Sequence, residues 1–118
     1  MRYIGAIACV LGTVGMVASG CSSGGAGIFA SSRDVGKVSF KGATKFDAQK
    51  QVYRITGSGA NIWGTQDAFH FASRPVSGDL KLSTAVTFEG TGGNAHRKAG
   101  WMIRQSLDPN AAYVDAMV

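Results

Sequence analysis

Seven acidic residues, two histidines and two cysteines are the groups with which this 118-residue chain could do acid–base, nucleophilic or metal chemistry. The acids Asp34, Asp47, Asp67, Asp79, Glu89, Asp108 and Asp115 stand apart along the chain. Glycoside hydrolysis needs two carboxylates aimed at one bond, one as acid and the other as base or nucleophile. Here no two acids alternate on one extended stretch, so that chemistry has no pair to use. No serine is read on a strand-to-helix elbow, and neither cysteine has a base beside it in sequence, so covalent catalysis has no evident nucleophile. The two histidines, His70 and His96, have no ligand spacing even with Asp67 counted in. His70 sits between Phe69 and Phe71 and reads as a hydrogen-bonded structural histidine, and Asp67 after Gly64-Thr65-Gln66 as a turn residue. The sequence therefore predicts no catalytic residue, no metal and no other cofactor, and the chain is read as a non-enzyme.

Recognition is a better use of what is present. Pyranose rings stack their apolar faces on indole and phenol rings, with amide, carboxylate and guanidinium groups nearby for the hydroxyls. Trp63, Trp101, Arg104 and Tyr113 are the candidate ligand-binding residues on this basis. Each also has a structural reading. Trp63, between Ile62 and Gly64, can plug a core, Trp101 can be the large residue of an inward strand face, and Arg104 can pair with a carboxylate.

Those residues must be delivered to a compartment and held by strands. Met1-Arg2 is a weakly positive start, Tyr3 to Val17 an apolar run, and Ala18-Ser19-Gly20 a small-residue site directly before Cys21. This order resembles a bacterial lipoprotein signal, in which the thiol is acylated before cleavage leaves it as the first residue. Ala18 stands where such signals usually carry Leu. Ordinary secretory cleavage and a retained anchor are the alternatives, the latter disfavoured because about 15 apolar residues fall short of the roughly 20 that span a bilayer. Ser22 after the cysteine implies, by the same resemblance, delivery to the outer membrane. The expected organisation is a signal peptide over 1–20, lipidated Cys21 with a Gly/Ser tether over 21–32, and a folded unit over 33–118, in which Cys21 is the one thiol left and no internal disulfide can form. The net charge of +5 is spread out, with Lys37, Lys41, Lys45 and Lys50 well separated. That is a solvated basic surface, not a nucleic-acid stripe, and no nucleic-acid partner is expected.

Within the folded unit the apolar residues recur with period two. Leu80, Leu82, Val86 and Phe88 share one face of a strand expected over 79–89, and further strands are expected over 51–56, 68–73, 98–107 and 111–118. Gly57-Ser58-Gly59, Arg74-Pro75, Gly90 to Asn94 and Asp108-Pro109-Asn110 punctuate them as turns. The pattern predicts an all-β, antiparallel sandwich or barrel.

The runs Gly57 to Phe71 (GSGANIWGTQDAFHF), Ser77 to Leu80 (SGDL) and Lys98 to Pro109 (KAGWMIRQSLDP) closely resemble the concanavalin A-like, laminin G-like β-sandwich of a bacterial domain family of unknown function. That family's sandwich also occurs beside β-propeller repeats in Tol-type biopolymer transport proteins of the envelope. The resemblance spans about Val35 to Val118 and implies a jelly-roll sandwich of which this chain supplies the N-terminal part, incomplete at its C-terminal end. It implies a noncatalytic envelope lipoprotein domain that binds a glycan or protein partner. The alternatives are a structural module of a Tol-type propeller protein with no ligand of its own, or a remnant of a glycan-acting enzyme. If Cys21 carries the lipid, Cys21→Ser leaves an unprocessed precursor without metabolic palmitate labelling, while labelling that persists in that variant refutes the anchor.

Overall fold

The computed structural model describes residues 1–9, 12–17, 27–91 and 93–118, with the side chains of 7–9 and 12–17 left aside. The described residues form nine strands and no helix: β1 (Arg2–Cys9), β2 (Gly12–Val17), β3 (Ser31–Val35), β4 (Ala43–Asp47), β5 (Val52–Gly57), β6 (Phe69–Val76), β7 (Ala85–Glu89), β8 (Lys98–Arg104) and β9 (Tyr113–Met117). All pairings are antiparallel. One sheet has the order β3-β6-β1-β8-β9 and the other β4-β5-β2-β7. The all-β, antiparallel expectation therefore holds.

Alternation decides which way each strand faces. In β5, Tyr53 and Ile55 are buried while Arg54 and Thr56 are exposed. The β4–β5 hairpin is closed by Asp47, whose Oδ1 accepts the N–H groups of Gln49 and Lys50, and Gln51 adopts the left-handed conformation with φ 54°. Across the second sheet, Arg54 Nε donates to Glu89 Oε2 at 2.8 Å, clasping β5 to β7 over β2. That hydrogen bond, more than any other influence, holds the Glu89 carboxyl below its usual range; desolvation opposes it and the guanidinium charge adds to it.

The centre of the first sheet is buried on both faces, its edge strands β3 and β9 largely exposed. Ala6, Ala72 and Ala99 face Tyr53 and Ile55 of the other sheet, with Ile28, Phe29, Phe46, Val86 and Phe88 packed around them. On the opposite face Val35, Phe69, Phe71 and Met102 form a second cluster, covered by Ile62 and Leu107 from the connecting loops. This is why Phe69 to Ser73 are all buried, where a half-buried strand would alternate.

Several boundaries differ from the sequence reading. The strand expected over 79–89 is regular only from Ala85, although 82, 84, 86 and 88 remain half-buried and the residues between them exposed. Leu80 is 40% exposed. β6 continues through Arg74-Pro75, with Pro75 opposite Tyr3, beyond the point where β3 pairing ends at Ser73. A strand with one bare side tolerates a residue lacking an N–H. β8 stops at Arg104, where Ser106 and Asp108 form a turn. Ser31 and Ser32, the last two residues of the expected tether, belong to β3. Cys21 and Ser22 lie outside the described residues.

The expected signal segment supplies a central strand to each sheet. Arg2–Ala8 pairs with β6 and Tyr3–Cys9 with β8. Gly12–Val17 pairs with β5, and Thr13–Val17 with β7. Ile4 and Ala6 are buried.

Phe71→Ala is expected to cost about 3–5 kcal/mol in urea unfolding because the ring is wholly enclosed, and Phe88→Ala less because that side chain is half-buried. Phe40→Ala, at a 65% exposed position, is expected to fall within about 0.5 kcal/mol of the parent. Equal costs at the three positions would contradict the packing described.

Candidate binding pocket and its histidine cluster

β3 is an edge strand, and its residues 32 and 34 point to the same face. Register places Asp34 opposite His70 and Ser32 opposite Ala72. His70 Nδ1 lies 2.8 Å from Asp34 Oδ1, and Nε2 lies 2.9 Å from Ser32 Oγ and 3.1 Å from Thr44 Oγ1. The Asp34 carboxylate also accepts the Gly42 N–H at 3.1 Å. A β-carbon at Gly42 would overlap the His70 ring, so this close approach requires glycine. A carboxylate can only accept, which places an imidazole proton on Nδ1. The cluster joins β3 and β6 of one sheet to Thr44 of the other.

Ser32 and Thr44 face from this cluster into a cavity of about 370 Å³, lined also by Phe29, Ala30, Ser31, Phe46 and Tyr53. Tyr53 is the floor. Its ring centroid lies 4.8 Å from that of Phe29 and 4.5 Å from that of Phe46, and its hydroxyl accepts the Ile28 N–H. The result is an open pocket with aromatic walls and, on one side, the hydroxyls of Ser32 and Thr44, both hydrogen-bonded to a fixed imidazole, while the Ser31 hydroxyl turns to Ser73 on the other face of β3.

Ser32, His70 and Asp34 follow the order of a charge-relay triad. The imidazole is 2% exposed and shares Nε2 between the hydroxyls of Ser32 and Thr44.

The residues singled out from sequence lie elsewhere. Trp63 is 83% exposed on the connection between β5 and β6 and lines neither this cavity nor the one beside Trp101. Trp101 is half-buried, its ring 6.0 Å from Phe29, and it lines a second cavity of about 260 Å³ with Leu80, Leu82, Ile103 and Val114. Its indole N–H is buried and has no hydrogen-bond partner among the described residues. Arg104 and Tyr113 are brought together and both line a third cavity, of about 200 Å³, in which Tyr113 is half-buried. Arg104 is fully buried, donates from Nη1 to Asp67 Oδ2 at 2.7 Å and from Nη2 to the Asp108 carbonyl at 2.7 Å, and packs over the rings of Phe69 and Tyr113. The Tyr113 hydroxyl donates to the Ile62 carbonyl at 2.7 Å. Of the readings weighed for Arg104, the carboxylate partner is what the geometry shows, and Asp67 is a buried ion-pair residue in addition to ending a turn. Asp67 and His70 are thus committed to different partners, and among the described residues no cluster of three or more potential metal ligands occurs.

Phe29, Phe46, Ser32 and Thr44 were not singled out from sequence as a site. The available signal was alternation: Thr44 and Phe46 share a face over 43–47, and Tyr53 faces them from the paired strand. No family model, curated protein or solved structure matches the chain.

Asp67→Asn leaves the Arg104 guanidinium buried without its counter-charge and is expected to destabilise by about 3–5 kcal/mol. Asp115→Asn, at an exposed position of β9, is expected to be near neutral. Thermal or urea unfolding of the two variants side by side measures the difference.

Proposed function

We propose that this chain is a noncatalytic, lipid-anchored module of the bacterial cell envelope that binds a glycan in the pocket between β3, β4 and β5. The concanavalin A-like sandwich and attachment through Cys21 at the outer membrane belong to the same reading, and rest on the sequence resemblance and on the order of residues around that cysteine. The observation that favours a glycan is the pairing of aromatic walls (Phe29, Phe46, Tyr53) with the prepositioned hydroxyls of Ser32 and Thr44 in one open cavity. A sugar ring presents the matching surface, a C–H face against the rings and hydroxyls toward the polar side. Stacking contributes about 0.5–1.5 kcal/mol per aromatic pair beyond area burial. Single-site affinity is therefore weak, and many anchored copies give useful avidity.

A second reading is a structural module docked on a neighbouring envelope protein such as a Tol-type propeller, with no ligand of its own. It is favoured by the 83% exposed Trp63 and the 65% exposed Phe40.

A glycan array followed by titration monitored through Trp101, whose ring lies 6.0 Å from Phe29, tests the first reading. Phe46→Ala and Thr44→Val are each expected to weaken glycan binding about tenfold, consistent with loss of one stacking or hydrogen-bonding contact of about 1–1.5 kcal/mol, while Trp63→Ala leaves it unchanged. Absence of glycan binding, together with loss of envelope-protein cross-linking in Trp63→Ala, supports the docked module instead. Covalent labelling of Ser32 by a fluorophosphonate probe would overturn the noncatalytic assignment.

A further inference from the structure

The segment with the composition of a cleaved signal is also the segment that completes both sheets. β6 and β8 are not neighbours in the first sheet. β1 lies between them and pairs with both, Tyr3–Ala8 having a partner on each side. In the second sheet β2 separates β5 from β7 in the same way. Cleavage before Cys21 would remove both central strands. The facing edges of β6 and β8 would then carry unpaired backbone N–H and C=O groups, and Phe71, Ala72 and Met102, all wholly enclosed, would lose a neighbour. Buried backbone groups and apolar side chains left in this state are a template for an added strand.

We propose that the space between β6 and β8 is a strand-acceptor groove, held in the unprocessed chain by Arg2–Cys9 and, once that segment is removed, filled by an extended apolar strand donated by another polypeptide. The inference rests on the processing reading given above. The groove specifies its occupant beyond general hydrophobicity. Gly5 lies opposite Ser73 and Met102, and a β-carbon there would meet the Ala72 carbonyl and approach the Phe71 ring to 2.6 Å and the Ser73 backbone to 2.9 Å. Ala6, opposite Ala72 and Trp101, is fully enclosed. The matching donor is an uncharged strand running antiparallel to both walls, with glycine and then a small residue at these two levels and an aliphatic residue just before them, where Ile4 now sits. Backbone hydrogen bonds on both sides supply affinity, and the glycine level sets register.

The test uses the full chain carrying a protease site between Ser22 and Gly25, cleaved after folding. A fluorescent peptide of Met1–Ala8 sequence with a solubilising lysine tail is then added, and its co-elution with the 25–118 body is followed by size exclusion. Incorporation after cleavage and none before it is the expected result. The same peptide with Gly5→Val is expected to bind about tenfold or more weakly, the effect of overpacking an enclosed site. Failure of the Met1–Ala8 peptide to enter overturns the proposal, whether the original segment never leaves or the sheet closes behind it with the amides of 69–73 and 100–104 still protected from hydrogen exchange. Equal binding of the Gly5→Val peptide overturns the assigned specificity. The mass of the protein recovered from membranes reports separately on processing: an intact N-terminus there, alongside peptide exchange in the cleaved chain, would sink the processing reading while leaving the groove in place.

Discussion

β1 is held on both sides, by β6 and by β8, and most of the first sheet depends on that double pairing. Its neighbours bring Phe69, Phe71 and Met102 to one face and Ala72 and Ala99 to the other, so one strand supports two apolar clusters at once. Small residues make this feasible. Gly5 admits the Phe71 ring and the β6 backbone, and Ala6 lets the second sheet approach until Tyr53 and Ile55 cover it. Larger side chains at those positions would push the layers apart, because close-packed interiors have no slack of that size.

Two buried polar groups then fix details that apolar packing alone leaves open. Arg104 bonds to Asp67 and to the Asp108 carbonyl, tying the ends of two connecting segments to β8. An Arg–carboxylate pair this enclosed carries a large desolvation cost, so its contribution is better understood as fixing geometry than as net stabilisation. His70 does the equivalent at the pocket. Asp34 orients its ring, the Gly42 backbone orients Asp34, and the ring's far nitrogen sets the hydroxyls of Ser32 and Thr44. The pocket inherits its polar side from a network anchored in the sheet rather than from loops, which keeps it preorganised.

Much of the architecture was legible because its physical cause is local. Alternation over 51–56, 68–73 and 98–107 marks strands without reference to partners, the last of them regular only to Arg104, and Gly57 to Gly59 and Asp108 to Asn110 end or separate them. His70 between two phenylalanines was readable as a structural, hydrogen-bonded residue, and its partners are indeed Asp34, Ser32 and Thr44. The identity of those partners was not readable, since Asp34 and His70 are 36 residues apart and meet through β3–β6 register. The candidate ligand residues illustrate the same limit. Aromatic type marks Trp63, Trp101 and Tyr113 as able to stack, but exposure decides whether they are available, and exposure separates Trp63 at 83% from a half-buried Trp101.

By itself the sequence determined the all-β class, the alternation of faces and the poverty of paired carboxylates, because each depends on residue type and near-neighbour spacing. Tertiary structure alone decided that Phe29, Phe46 and Tyr53 form one wall, that Arg104 faces Asp67 rather than solvent, and that an apolar run with the composition of a signal also pairs as the central strands of two sheets. The reason is that hydrophobicity is non-directional. A greasy stretch such as Tyr3 to Val17 satisfies equally the chemistry of a membrane-targeting segment and that of a buried strand, and only the pairing offered by the facing edges of β6 and β8 and of β5 and β7 makes the second use available.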